Sequence, residues 1–159
     1  MIKLRKFEFS DLNQVIEIEK VSFPKRQVYS RHRFERYFKE YPEEFIIAEN
    51  KGKVVGYTIC ELKNDSAEII SLAVASTWRQ KGIGKALTSF LINHFKESGI
   101  KEIFLHVRIK NKVAVSFYQK FGFKILKTIK NYYQNGGDAY LMKLSLHLNP
   151  RSASPRSGI

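Results

Sequence analysis

Leu72-Ala73-Val74-Ala75-Ser76-Thr77-Trp78-Arg79-Gln80-Lys81-Gly82-Ile83-Gly84-Lys85-Ala86 is the stretch on which the fold turns. Its apolar start suits a strand, and beyond Gly84 the apolar positions change to a helical period. Ile83, Ala86, Leu87, Phe90, Leu91 and Phe95 then form one stripe, which Gly99 closes. A strand therefore runs into a glycine-bearing turn that opens an amphipathic helix. Gly82 and Gly84 carry no β-carbon, so a bulky anion can approach the main chain. The first N–H groups of the helix have no helical acceptors, and with the helix dipole they suit a pyrophosphate. Arg79, Lys81 and Lys85 add positive charge. No Gly-Lys-Ser/Thr follows, which excludes a Walker loop, and the dinucleotide fingerprint lacks its third glycine. Trp78 reads as a partly buried loop aromatic, not a cofactor-stacking platform.

Upstream, Ile2, Leu4 and Phe7 suggest a first strand, and Ser10 or Asp11 caps a helix with Leu12, Val15 and Ile16 on one face. Phe23-Pro24 breaks it, and a second helix is expected from about Ser30 to Glu40, before Pro42. Three strand-like runs, Glu44–Glu49, Lys53–Leu62 and Ala67–Ala75, are divided by Asn50-Lys51-Gly52 and Asn64-Asp65, which predicts an antiparallel meander. Downstream come a strand at Ile103–Val107, a short helix capped by Asn111 and ended by Gly122, and strands at Phe123–Thr128 and Ala139–Leu144. The order β-α-α-β-β-β-α-β-α-β-β makes one mixed sheet with helices on its faces.

The second segment with chemical content is Leu105-His106-Val107-Arg108-Ile109-Lys110-Asn111. Alternation puts His106 on the face opposite Leu105 and Val107, so it looks into a cleft if those two point into the core. Tyr118, a few residues into the next helix, is placed for its hydroxyl to reach a leaving group. By spacing alone, a hydrogen-bonded structural imidazole and a core aromatic explain these two residues as well.

The chain has 159 residues, 43% of them hydrophobic and 27% charged, which fits one globular domain and excludes collagen-like or wholly disordered classes. The lone Cys60 can form neither an internal disulfide nor a Cys-rich zinc site, and it reads as a buried strand residue. No apolar run is long enough for a membrane span and no signal peptide is evident, so a cytoplasmic protein without membrane contact is expected. The net charge is +13, of which Ile69–Lys130 carries +10, with twelve Lys/Arg against Glu97 and Glu102. Such a field attracts nucleic acid, a membrane surface or a phosphorylated cofactor, or is simply a solvated lysine-rich surface. The residues from Asn149 to Ile159, with two Pro and three Ser, read as a flexible tail.

Arg79-x-x-Gly82-x-Gly84 after Leu72-Ala73-Val74 resembles the acetyl-CoA motif of the GNAT N-acetyltransferase superfamily. Asn111-x-x-Ala114-x-x-Phe117-Tyr118-x-x-Phe121-Gly122-Phe123 is similar to its second conserved block. Asn131-Tyr132-Tyr133, Gly137-Asp138-Ala139-Tyr140-Leu141-Met142 and Ser22-Phe23-Pro24 narrow the resemblance to the N-terminal (Nα) acetyltransferases, including the ribosomal-protein alanine acetyltransferases. It covers roughly residues 1 to 146. It implies an α/β (α+β) fold with a mixed, mostly antiparallel central sheet flanked by helices. The expected domain spans 1–148 and the tail 149–159.

The resemblance also implies roles. The amides of Gln80, Lys81, Gly82, Ile83, Gly84 and Lys85 would hold the pyrophosphate of CoA, with Arg79 beside them. The edge at Leu72, Ala73 and Val74 would pair with the pantetheine arm, along which Asn111 and Tyr118 would lie. Tyr118 would protonate the departing thiolate, and His106 would be the general base. Phe23, Pro24, Tyr132 and Tyr133 would frame the N-terminus of a protein or peptide substrate, ribosomal proteins among them. No metal, no specific nucleic acid and a monomer or weak dimer are expected.

An α-ammonium titrates at about 7.7–8.0, so an imidazole can deprotonate it directly or through a water. The amine then attacks the thioester, whose carbonyl a β-bulge amide in the strand ending at Val74 could polarise. Lys25-Arg26-Gln27 departs from relatives with apolar or acidic residues there, which opens the question of substrate preference. Glu68 and then Glu61 stand behind His106 as candidate bases, or are solvated strand residues. A lysine or small-amine acceptor and a basic nucleic-acid-binding module are the alternative functions.

Overall fold

A computed structural model describes residues 1–134 and 136–146. The tail expected over 149–159 and the last positions of the expected domain lie outside the described residues. The elements are strand β1 (Ile2–Lys6), helices α1 (Leu12–Ser22) and α2 (Arg31–Glu40), and strands β2 (Phe45–Asn50), β3 (Lys53–Lys63) and β4 (Ser66–Val74). Helix α3 (Ile83–Glu97), strand β5 (Glu102–Arg108), helix α4 (Lys112–Lys120) and strands β6 (Lys124–Ile129) and β7 (Ala139–Ser145) follow. The order is the one read from the sequence, with boundaries moved by a residue or so.

The punctuation has a local cause. Ser30 accepts a bond from the Arg33 N–H at 3.2 Å and so opens α2. Lys51 and Gly52 both take positive φ, which turns β2 back on β3, and Asn64 does the same between β3 and β4. The seven strands lie in the order β1-β2-β3-β4-β5-β7-β6. Only β4 and β5 run parallel, bridged by α3; the other neighbours are antiparallel. The fold is thus the mixed, mostly antiparallel sheet with helices that the sequence implied.

Each sheet face buries its own cluster. Ile83, Leu87, Leu91 and Phe95 of α3 pack over Val55, Cys60, Ile69, Leu105 and Met142. Val15 and Ile18 of α1, with Phe34 and Tyr37 of α2, cover Phe45, Ile47, Tyr57 and Ile59 on the other face. Cys60 is fully buried, and burial pushes its thiol well above the ordinary range.

Two expectations need correction. Asp11 precedes α1, but its carboxylate does not cap that helix. It accepts from the Glu8 N–H at 2.8 Å across the 3-10 turn Phe9–Asp11 that leads into the helix, and takes two bonds from the Arg5 guanidinium, an ion pair stronger than a neutral cap. Phe90 belongs to the α3 stripe by period yet is 36% exposed, its ring stacked on His94. The buried side of α3 is narrower than the stripe and is completed by Thr88.

The site arises where β4 and β5 part. They pair from Ser66↔Glu102 to Ile69↔Leu105 and no further, although both strands continue. On the β3 side Ile59 faces Ser71 and Cys60 faces Ile69, so Ile70 is an extra, bulged residue. A bulge kinks a strand and adds local twist, which opens the gap.

Candidate active site

A cavity of about 840 Å³ occupies this gap. Its walls are the parted strands at Ile70–Leu72 and Leu105–Arg108, helix α4 at Ala114 and Tyr118, the α1–α2 connection from Phe23 to Ser30, and the β6–β7 loop at Tyr132 and Tyr133. The sequence-predicted residues Leu72, His106, Asn111, Tyr118, Phe23, Pro24, Tyr132 and Tyr133 therefore meet around one space.

His106 projects to the cavity because Leu105 and Val107 are buried on the opposite face. Its Nδ1 lies 2.9 Å from Oε2 of Glu68 on β4, and the Tyr132 ring stacks on the imidazole at 4.3 Å with a 10° interplanar angle. The side chains of His106 and Glu68 are 19% and 36% exposed, so the pair is accessible without being fully solvated. With Nδ1 engaged by Glu68, Nε2 is the nitrogen left for chemistry. Glu68 does not itself line the cavity, and Glu61 sits across from it on β3, also outside the lining.

Tyr118 is held edge-on against Phe117 and Phe123, and burial pushes its hydroxyl well above the ordinary tyrosine value. It is therefore a protonated donor at neutral pH. Asn111 caps α4, its Oδ1 accepting from the Ala114 N–H at 3.1 Å. Tyr133 carries the Arg108 guanidinium over its ring at 4.3 Å.

At the start of α3 the cap residue is Gly82, with φ 85°, and no side chain caps the helix. The first in-helix bond runs from the Ala86 N–H to the Gly82 carbonyl at 2.9 Å, which leaves the amides of Ile83, Gly84 and Lys85 without helical acceptors. Gln80 also takes positive φ, so the turn is a concave run of main-chain amides. A β-carbon on Gly84 would meet Phe117 at 3.5 Å, an ordinary contact, so packing inside the chain does not require glycine there. Lys81 and Lys85 are exposed beside the turn, and Lys81 lies over Trp78, which is half-buried as expected. Arg79 is turned otherwise: it donates to the Val74 carbonyl at 3.1 Å and to Ser22 at 3.2 Å. Of the expected strand edge, Ala73 is buried, while Leu72 and Val74 are half-buried.

A model of the acetyltransferase (GNAT) family matches residues 12–123, from the first helix through both motif blocks. The chain belongs to the GNAT acetyltransferase family. An N-alpha-acetyltransferase of Sulfurisphaera tokodaii is 34% identical over 157 residues, covering 91% of this chain and 93% of that protein. The crystal structure of Ard1 from Thermoplasma volcanium superposes with a TM-score of 0.87 at 28% identity, covering 92% and 98% of the two chains. Arabidopsis thaliana Naa50, solved with a bisubstrate analogue CoA-Ac-MVNAL, gives a TM-score of 0.80 at 30% identity over 91% of this chain and 99% of that one.

As a GNAT acetyltransferase the enzyme uses acetyl-CoA, and the uncapped α3 turn with its flanking lysines suits the pyrophosphate. Among the described residues no group of three His, Cys, Asp or Glu is gathered to hold a metal, and no helix is long and apolar enough to cross a membrane. Among the cavity residues that escaped the sequence reading, Glu19 has the most telling contacts. Glu19 of α1 is 1% exposed, and its carboxylate accepts from the Tyr57 hydroxyl and the Tyr29 N–H. A glutamate on a surface helix reads as solvated; its place three, four and seven residues after Ile16, Val15 and Leu12, on the same apolar face, hinted otherwise.

Proposed function

We propose that this enzyme transfers acetyl from acetyl-CoA to the α-amino group of protein N-termini, within the cavity between β4 and β5. The observation that carries the reading is the His106–Glu68 pair at the point where the strands part. Glu68 keeps the proton on Nδ1, so Nε2 of His106 takes a proton from the acceptor ammonium. Bound acetyl-CoA supplies the acetyl group as a thioester. The amides of Gln80–Lys85 hold its pyrophosphate, and the unpaired edge at Leu72–Val74 receives the pantetheine arm. The Ile70 bulge offers a main-chain amide outside the strand register for the thioester oxygen. Tyr118 gives its proton to the leaving sulfur. Phe23, Pro24, Tyr132 and Tyr133 enclose the acceptor between two loops, which suits an extended peptide end. The N-alpha-acetyltransferase relatives and the peptide-like analogue in the Naa50 structure support that acceptor class, ribosomal proteins included.

Thiol release from acetyl-CoA tests the assignment with three acceptors: a peptide with a free N-terminus, the same peptide N-terminally blocked but bearing lysine, and small amines. Release with the free peptide and little with the others is expected. Equal release with the blocked peptide would move the acceptor to lysine.

A further inference from the structure

Glu19 stands at the junction of both walls of the cavity. Its Oε2 accepts from the Tyr29 N–H at 2.9 Å, which fixes the main chain at the end of the α1–α2 connection. Its Oε1 accepts from the Tyr57 hydroxyl, which lies 3.3 Å from Ser71 Oγ. Ser71 follows the bulged Ile70, and the Ile70 carbonyl accepts from the Tyr29 hydroxyl at 3.3 Å. These contacts close a ring: Glu19, Tyr29, Ile70, Ser71, Tyr57 and back to Glu19. One side of the ring is the loop that frames the acceptor, and the other is the bulge that borders the donor.

We infer that Glu19 is a positioning residue that holds the acceptor-side loop and the donor-side bulge in register, through hydrogen bonds rather than through its charge. The inference rests on the acyl-transfer reading only for what the two walls bind. Burial pushes the Glu19 carboxyl above the usual range, against the bonds from Tyr57 and Tyr29, so ionisation is a cost here and not the reason for the residue. A neutral amide can make the same ring. The oxygen of Gln at this position would accept from the Tyr29 N–H, and its NH2 would donate to the Tyr57 oxygen. The Tyr57 hydroxyl would then donate to Ser71. Alanine can make none of these bonds and leaves the Tyr29 N–H and the Tyr57 hydroxyl without that acceptor.

Glu19→Ala and Glu19→Gln separate the possibilities, with the peptide KM, kcat and trypsin cleavage at the exposed Lys25 of the loop as readouts. Glu19→Ala should raise the peptide KM about tenfold or more, as expected when the Tyr29 N–H and the Tyr57 hydroxyl both lose their buried acceptor, and speed cleavage at Lys25. Glu19→Gln should restore both to within about threefold of the wild type. Should alanine unfold the chain, Tyr57→Phe keeps the ring packing and removes one link, and it too should raise the peptide KM. Wild-type KM and cleavage in folded Glu19→Ala or in Tyr57→Phe would overturn the inference. So would a Gln variant as impaired as alanine while its loop is as protected as in the wild type, since that pattern requires the carboxylate itself. Cleavage at Lys25 reads the loop without any turnover. If the wild type transfers no acetyl to α-amines, the functional reading fails while the cleavage comparison still judges Glu19.

Discussion

At His106 one ring nitrogen is engaged by a carboxylate while the residue lines the cavity, so its neighbours divide its labour. Removing the base itself should cost more than removing the group that orients it. His106→Gln is expected to lower kcat by about 10²–10⁴-fold, whereas Glu68→Gln should lower kcat less. A larger loss with Glu68→Gln than with His106→Gln would make Glu68 the base. Burial holds the Tyr118 proton, so its ionisation should impose no basic limb through the ordinary tyrosine range near 10. Tyr118→Phe should reduce kcat with little change in the KM for acetyl-CoA, as for a contact that matters in the transition state. Unchanged kcat would leave Tyr118 a packing residue. Alternation around Leu105 and Val107 made the direction of His106 legible. Its bond to Glu68 was not, because a diagonal contact between two strands depends on their register. Glu19 was hidden for a related reason: a buried carboxylate is recognisable only from the groups around it, here Tyr29 and Tyr57, which come from two other parts of the chain.

The elements were the most legible level. Gly52, Asn64, Pro24 and Gly122 mark reversals or breaks that local backbone energetics alone impose, so the element order could be read without tertiary information. The insertion of β7 between β5 and β6 could not, since it follows from which edges remain to be paired after the chain has crossed over. The α3 turn carries a direct test. A side chain at Gly84 begins in ordinary contact with Phe117, so Gly84→Glu should fold; its carboxylate would stand beside the amides expected to hold pyrophosphate. A large loss of CoA affinity by calorimetry is the expected outcome, and unchanged affinity would remove the pyrophosphate from that turn. Ahead of α1, the Asp11 carboxyl experiences desolvation that raises it, but the bonds from Arg5 and the Glu8 N–H prevail and hold it below the usual range. A depressed carboxyl contributes stability above its unfolded pKa, and that contribution is lost as pH falls through the folded value. Asp11→Asn should therefore cost about 1–3 kcal/mol at neutral pH, with the gap to wild type narrowing below about pH 4. Thermal melts at the two pH values check this, and a gap constant with pH would contradict it.

Across the whole molecule, the charge excess and the chemistry share one region. The segment from Ile69 to Lys130 contains the α3 turn, both motif blocks and +10 of the net +13, as a site for a phosphorylated cosubstrate would require. Between the two walls of the β4–β5 gap, the donor is expected along α3 and α4 and the acceptor between the aromatic loops. The most direct measurement is mass-spectrometric localisation of acetyl on a peptide that offers both a free α-amine and an internal lysine, compared between wild type and His106→Gln. The account predicts acetyl on the α-amine with wild type and little with the variant. Acetyl on the lysine, or equal α-acetylation by both proteins, would contradict it.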